Sequence, residues 1–245
     1  MVPCRNAPVQ IMLVRAADIP EYVQDGVVDC GITGADLVRE RDASVTEVLS
    51  LGYGSCSLEA AVPESSEAQT FEDISGWRVA TTYPHVASRF FEERGIDVSL
   101  VDVSGSVEVA PRLGLADAIV DLVSSGNTLR TNGLRSIGSV LSSEAVLITK
   151  EDPPSSALAL GRVLQSVVAA RDARYLMFNA PEAQLQTICD LVPSSRSPSI
   201  VPLAEPGMVA VHSLVPAAEV WRLLPRIHEA GASSILLLPI ERMLP

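Results

Sequence analysis

The feature that most limits what this chain can fold into is its alternation of short apolar runs and amphipathic stretches, each ended by glycine or a turn. Val9–Val14 predicts a strand, and Ala17–Asp25 a short helix closed by Gly26. Val27–Ile32 predicts a second strand, which leads through Thr33, Gly34, Ala35 and Asp36 into a helix over Leu37–Arg41. A further strand covers Val45–Leu51. Short strands alternating with helices are the grammar of a parallel α/β sheet. Pro63–Ser75 is polar and rich in turn formers, so it reads as a surface excursion near a domain crossing.

The same grammar resumes beyond it. Trp77–Thr81 predicts a strand, and Pro84 suits the first turn of a helix that runs to Arg94 and stops at Gly95. Val98–Val103 is the next strand, Ser106–Leu113 a helix and Ala118–Val123 a buried strand. Ala145–Thr149 reads as a strand returning to the first α/β unit, and Leu158–Ala170 has apolar residues at helical spacing. The tail changes pattern. Strands at Arg174–Phe178, Ile200–Leu203, Val209–Val215 and Ser234–Leu238, with helices at Pro181–Leu191 and Ala217–Ala230, give the β-α-β-β-α-β order of a ferredoxin-like domain. Pro225 is expected to kink the second of those helices.

Composition narrows the function. With 245 residues, 47% hydrophobic and 20% charged, the chain can bury a sizeable core and is not disordered. No apolar run approaches the ~18 residues of a membrane span, and no basic leader precedes an apolar core, so a soluble, cytoplasmic protein is expected. A net charge of −12 argues against nucleic-acid or anionic-membrane surfaces, while leaving room for a local anion site. Lys150 is the only lysine, so arginine supplies nearly all the positive charge. Cys4, Cys30, Cys56 and Cys189 are widely spaced and read as reduced thiols; His85, His212 and His228 form no triad or metal grouping.

The stretch richest in chemistry is Asp121 to Arg130, DLVSSGNTLR. An apolar strand delivers a carboxylate, then a loop of hydroxyls around glycine, then a helix start. Phosphate needs converging N–H donors, and glycine lets the backbone approach the anion. Ser124, Ser125 and Thr128 add hydroxyls, and Asp121 can hold a sugar hydroxyl or a water on a metal ion. The alternative is an ordinary strand-to-helix turn with Ser/Thr caps. Glu108 lies at a similar junction, SGSVEVA, either facing a ligand beside Asp121 or complementing the helix N-terminus. Asp36 is a helix cap or faces a cleft, Arg15 ends the first predicted strand, and Tyr83 stacks on a base or plugs a core.

Several segments then carry a family resemblance. ADIPEYVQDGVVDCGITGADLV, ATTYPHVASRFFEERGI, GSVEVAPRLGLADAIVDLVSSGNTLRTNGL and SEAVLI resemble the ATP phosphoribosyltransferases, the first enzymes of histidine biosynthesis. YLMFNAPEAQL, SPSIVPLAEPGMVAVHSLVP and AGASSILLLPIERML resemble the regulatory domain of the family's long form. The resemblance implies two periplasmic-binding-protein-like (type II) lobes, with residues 1–60 and 146–172 forming one and 61–145 the other, followed by a ferredoxin-like domain over 173–245. It implies condensation of ATP with phosphoribosyl pyrophosphate (PRPP), with Mg2+ held mainly by substrate oxygens and water. It assigns Asp121 and Glu108 to catalysis, and Asp121, Ser124, Ser125, Gly126, Asn127 and Thr128 to PRPP. Arg15, Asp36, Leu37 and Tyr83 fall to ATP. Ser197, Ser199, Ser233 and Ser234 fall to histidine, an inhibitor that shifts a homo-oligomer between dimer and hexamer. Family members usually open with a strand, a Lys-Gly-Arg-Leu-like turn and a helix ahead of the point where this sequence starts. If this chain is the whole molecule, lower stability and much reduced or absent activity are expected without that element. The competing reading is a two-lobed binding or regulatory subunit without catalysis.

Overall fold

The computed structural model describes residues 1–124, 126–193 and 197–244. It divides into two compact units, Met1–Gly161 and Arg162–Pro245.

The first unit opens with a short antiparallel ladder of β1 (Val2–Pro3) and β2 (Gln10–Ile11). This replaces the longer strand expected over Val9–Val14: Leu13 and Val14 are exposed, and no described strand covers them. Helix α1 (Ile19–Gln24) carries proline in its first turn and buries Val23 against β3 (Cys30–Gly34). There follow α2 (Ala35–Glu40), β4 (Thr46–Ser50), β5 (Cys56–Pro63), β6 (Arg78–Thr81), α3 (Pro84–Glu93), β7 (Ser99–Asp102) and β8 (Ala118–Val123). Then come α4 (Asn127–Thr131), β9 (Leu134–Ser143), β10 (Ala145–Thr149) and α5 (Ser155–Arg171).

These strands make two separate sheets, ordered β3-β10-β4 and β7-β6-β8-β5-β9. The chain passes from one to the other after β4 and returns between β9 and β10, as expected of a two-lobed, type II periplasmic-binding-protein-like fold. The expectation of an all-parallel sheet needs correction. Only β6 with β7 and β6 with β8 are parallel; β5 is antiparallel to β8 and β9, and β10 to β3 and β4. The crossing strands enter each sheet from the other lobe and so run against its own strands. The larger sheet is covered on both faces. Leu58, Val79, Phe90, Phe91 and Val120 fill the α3 side, and Val107, Ile119 and Leu129 the opposite side. Pro63–Ser75 is more than a surface excursion, because Ala68 and Ile74 lie within the α3-side core. The helix expected over Ser106–Leu113 is only one 3-10 turn, Val107–Val109, entered from Ser106 with positive φ.

The second unit contains β11 (Ala173–Pro181), α6 (Leu185–Leu191), β12 (Ser199–Pro202), β13 (Met208–Pro216), α7 (Val220–Glu229) and β14 (Ser233–Pro239). Its sheet order β12-β13-β11-β14, antiparallel throughout, is ferredoxin-like. Alternate residues of β11 and β13 (Leu176, Phe178, Val211) point toward Ile188 of α6 and Ile227 of α7. Helix α7 continues through Pro225 as one element. No described helix is long and apolar enough to cross a membrane. Phe91, 1% exposed, meets Phe90 and Phe71 edge-on in the larger core. Phe91→Ala is expected to lower unfolding free energy by about 3–5 kcal/mol in urea denaturation followed by circular dichroism; a loss under about 1 kcal/mol would show that this core collapses around the gap.

Candidate functional site

The site is built around the start of α2. The Thr33 hydroxyl donates to the Ala16 carbonyl at 2.8 Å, which fastens the exposed Arg15 beside the end of β3. Gly34 then enters the helix in extended conformation, and a Cβ there would overlap the Asp36 carboxylate. Glycine is therefore required for Asp36 to fold back across the helix start. Asp36 is only 5% exposed. Its Oδ2 accepts the Tyr83 hydroxyl at 2.8 Å and its Oδ1 the Ser143 hydroxyl at 2.6 Å, while its own N–H donates to Ser143 Oγ at 2.9 Å. Burial, and then the bond to Asp36, push the Tyr83 phenol far up, so Tyr83 serves as a donor only. Leu37 packs against the core of the larger lobe. Asp36, Leu37 and Tyr83 thus meet where one lobe touches the other.

The second half of the site lies along β8. Asp121 and Glu59 are direct cross-strand partners, so their side chains leave the same face of the sheet. The Asp121 carboxyl accepts the Leu122 N–H at 2.8 Å. Burial raises its pKa, the Leu122 bond partly offsets this, and the Glu108 charge raises it further. Glu108 sits in the 3-10 turn after β7, so the two junctions singled out in the sequence do converge at the same ends of parallel strands. Beyond β8, Ser124 is exposed, Gly126 takes φ 70°, and α4 begins. No described residue accepts a hydrogen bond from the amides of Gly126, Asn127 or Thr128. Asn127 Oδ1 accepts from Arg130. Ser125 lies outside the described residues.

Between the lobes is a cleft of about 600 Å³, walled by Ala35 and Arg39 of α2, by Ser57 of β5, and by Val123 and Ser124 at the end of β8. Ser142 and Ser143 line it at the return crossing. The first residue of the phosphate-loop candidate, Ser124, therefore faces the same space as one face of α2. Sequence reasoning passed over Ser143 and Ser57, whose only signal was membership of serine-rich stretches that do not look like strands.

In the second unit, Ser199 opens β12, with Ser197 just before it, and Ser233 and Ser234 begin β14. These strands are the two opposite edges of the four-stranded sheet. At ~4.8 Å per strand the pairs are separated by roughly 14 Å, more than one amino acid can bridge. A single chain does not bring the four serines together.

Comparison with known proteins follows the same division. Residues 15–167 match the family described as ATP phosphoribosyltransferase, and residues 170–242 its C-terminal domain. The chain is 41% identical to the ATP phosphoribosyltransferase of Methanosarcina barkeri, over 97% of this chain and 85% of that protein. It is 40% identical to that of Cytophaga hutchinsonii with the same two coverages. The chain belongs to the ATP phosphoribosyltransferase family. Among solved structures, the ATP phosphoribosyl transferase (HisG:HisZ) complex from Thermotoga maritima superposes with a TM-score of 0.52 at 29% identity, over 56% of this chain and 67% of that one. Family membership makes the chain a transferase acting at the first step of histidine biosynthesis.

Two expectations follow from this transferase's geometry. Gly34→Ala forces the Asp36 side chain out of its pocket and is expected to cost about 1–3 kcal/mol of stability, read by thermal unfolding; an unchanged midpoint would contradict the Asp36 arrangement. Asp121 has a raised pKa, so the folded state binds its proton more tightly than the unfolded chain. Stability is then lost as pH climbs from the ordinary carboxyl range through the raised value. Asp121→Asn keeps the Leu122 contact without the charge, so it is expected to melt above the parent at about pH 8, with the gap closing towards about pH 4. A variant that melts lower at both pH values would contradict the assignment of strain to this carboxylate.

Proposed function

We propose that this chain transfers the phosphoribosyl group of PRPP to N1 of ATP. N1 forms the new bond at the anomeric carbon as the bond from that carbon to the pyrophosphate oxygen breaks, and pyrophosphate carries the bonding electrons away. The observation that carries the residue assignment is the loop after β8. Its amides at Gly126, Asn127 and Thr128 have no described protein acceptor, and Ser124 opens into the inter-lobe cleft. Those amides, with the Ser124, Ser125 and Thr128 hydroxyls, hold the 5′-phosphate of PRPP. Asp121 takes the ribose hydroxyls, and Glu108 stands beside it. A transition state with oxocarbenium character gains from two fixed carboxylates near the sugar. The nucleotide lies toward Arg15 and the α2 start, where Asp36 and Tyr83 shape the wall through their mutual bond and Leu37 packs beneath.

Magnesium fits this arrangement as a substrate-borne ion. Mg2+ characteristically keeps waters and phosphate oxygens together with one or two carboxylates. Asp121 and Glu108 are the carboxylates proposed to face it, with Glu59 beside Asp121 on the same sheet face, and bound magnesium would neutralise the departing pyrophosphate.

Histidine inhibition is proposed for the second unit. Because Ser197 and Ser199 lie on the edge opposite Ser233 and Ser234, the reading requires two copies of the chain, each lending one edge, in keeping with a homo-oligomer.

The purified full chain, supplied with ATP, PRPP and Mg2+, is expected to form phosphoribosyl-ATP and pyrophosphate. Asp121→Asn and Glu108→Gln should each lower kcat/KM by about a hundredfold, the scale of removing one preorganised electrostatic contact. Wild-type rates in both variants would overturn the residue roles, and absence of product from the parent would overturn the activity.

A further inference from the structure

Helix α3 begins at Pro84 behind Tyr83, and Tyr83 makes no side-chain cap for it. The first amides of a helix have no intrahelical acceptors and need partners from elsewhere. Here the partner comes from the other lobe: Glu40, the last residue of α2, accepts the His85 N–H at 3.1 Å and the Val86 N–H at 3.0 Å. Glu40 lies one helical turn beyond Asp36, so both carboxylates leave the same side of α2. Both reach the start of α3, Asp36 through the Tyr83 hydroxyl and Glu40 through the backbone. Ala35 and Arg39, on the adjacent face of α2, wall the cleft.

We propose that Glu40 is a positioning residue for phosphoribosyl transfer, a cap supplied across the lobes that sets the spacing between the α2 wall and the loop after β8. The two chain crossings act as a hinge on one side, where Leu51 N–H bonds Ala145 O and Ala145 N–H bonds Tyr53 O. A hinge fixes an axis and leaves the opening angle free. The two Glu40 bonds join α2 of one lobe to α3 of the other and, with the Asp36–Tyr83 bond, limit that freedom. A carboxylate facing two amides and the positive end of a helix is a stronger tie than neutral bonds of the same length. Glu40 does not line the cleft, so it acts through α2 and α3 rather than on substrate.

The test separates a tie between lobes from simple capping, and only its kinetic arm rests on the proposed reaction. Glu40→Ala removes both functions. Adding His85→Glu at the exposed second position of α3 restores a negative charge to the first turn without linking the lobes. In hydrogen–deuterium exchange on the full chain, Glu40→Ala is expected to speed exchange both in the first turn of α3 and in the crossings at residues 51–55 and 143–145. The double variant should recover the first turn and leave the crossings fast. In steady-state assays both variants should show KM for ATP and PRPP raised about tenfold, the scale of a lost charge-assisted bond, with kcat changed much less. Crossings that stay protected in Glu40→Ala, or a double variant whose crossings and KM both return to parental values, would overturn the proposal. If Glu40→Ala does not fold, Glu40→Gln, which keeps one acceptor oxygen, carries the same comparison. A parent without turnover would refute the proposed reaction and still leave the exchange result to decide Glu40.

Discussion

One carboxylate, Asp36, is taken out of water at the place where the two lobes meet, and the cleft is organised around keeping it satisfied. An unpaired buried carboxylate is costly, and its burial is tolerable only because specific donors surround it. Those donors come from two other parts of the chain, Tyr83 ahead of α3 and Ser143 at the return crossing, whose Oγ in turn accepts the Asp36 N–H. A bond network with one member in each lobe and one at the hinge is not met by either lobe alone. The lobe contact therefore combines this bond network with apolar packing, to which Leu37 adds its contact with the larger core.

That constraint has a functional corollary. Phosphoribosyl transfer requires two large anionic substrates to meet with their reacting atoms aligned, and misplacement by an ångström is expensive. On the proposed assignment one substrate's phosphate lies on the loop after β8 in the larger sheet, while the α2 wall belongs to the smaller one, so their separation is a property of the lobe contact. The net charge of −12 makes the task harder, since the global field repels both substrates. Backbone amides and hydroxyls, rather than a surface rich in lysine, must supply the local attraction.

Much of this was legible in the residues. Ala118–Val123 and Ala145–Thr149 occur as strands over those same residues, because runs dominated by β-branched and apolar residues, the first broken only by Asp121, leave little choice. The ferredoxin-like order emerged because the two central strands, β11 and β13, alternate and each helix starts after a proline or ends before glycine. Two strands did not announce themselves. β5, CSLEAAVP, has two alanines with a glutamate in the middle, and β9, LRSIGSVLSS, is half serine and glycine; both owe their conformation to the neighbours they pair with. Asp36 and Tyr83 could be singled out, but their mutual bond spans 47 residues and depends on the three-dimensional approach of α2 to α3. Glu40 looked like an ordinary charged residue near a helix end. Its role becomes visible only when the uncapped start of α3 is placed against it.

The central claim is that Asp36 and Tyr83 hold the lobes together as an interacting pair. A double-mutant cycle on unfolding free energy, with Asp36→Asn, Tyr83→Phe and the combination, measures this directly. The account predicts that the two substitutions are strongly non-additive, with a coupling of about 1–3 kcal/mol. Losses that add to within about 0.5 kcal/mol would mean that each residue is held by its own surroundings and that the bond between them contributes nothing to the fold.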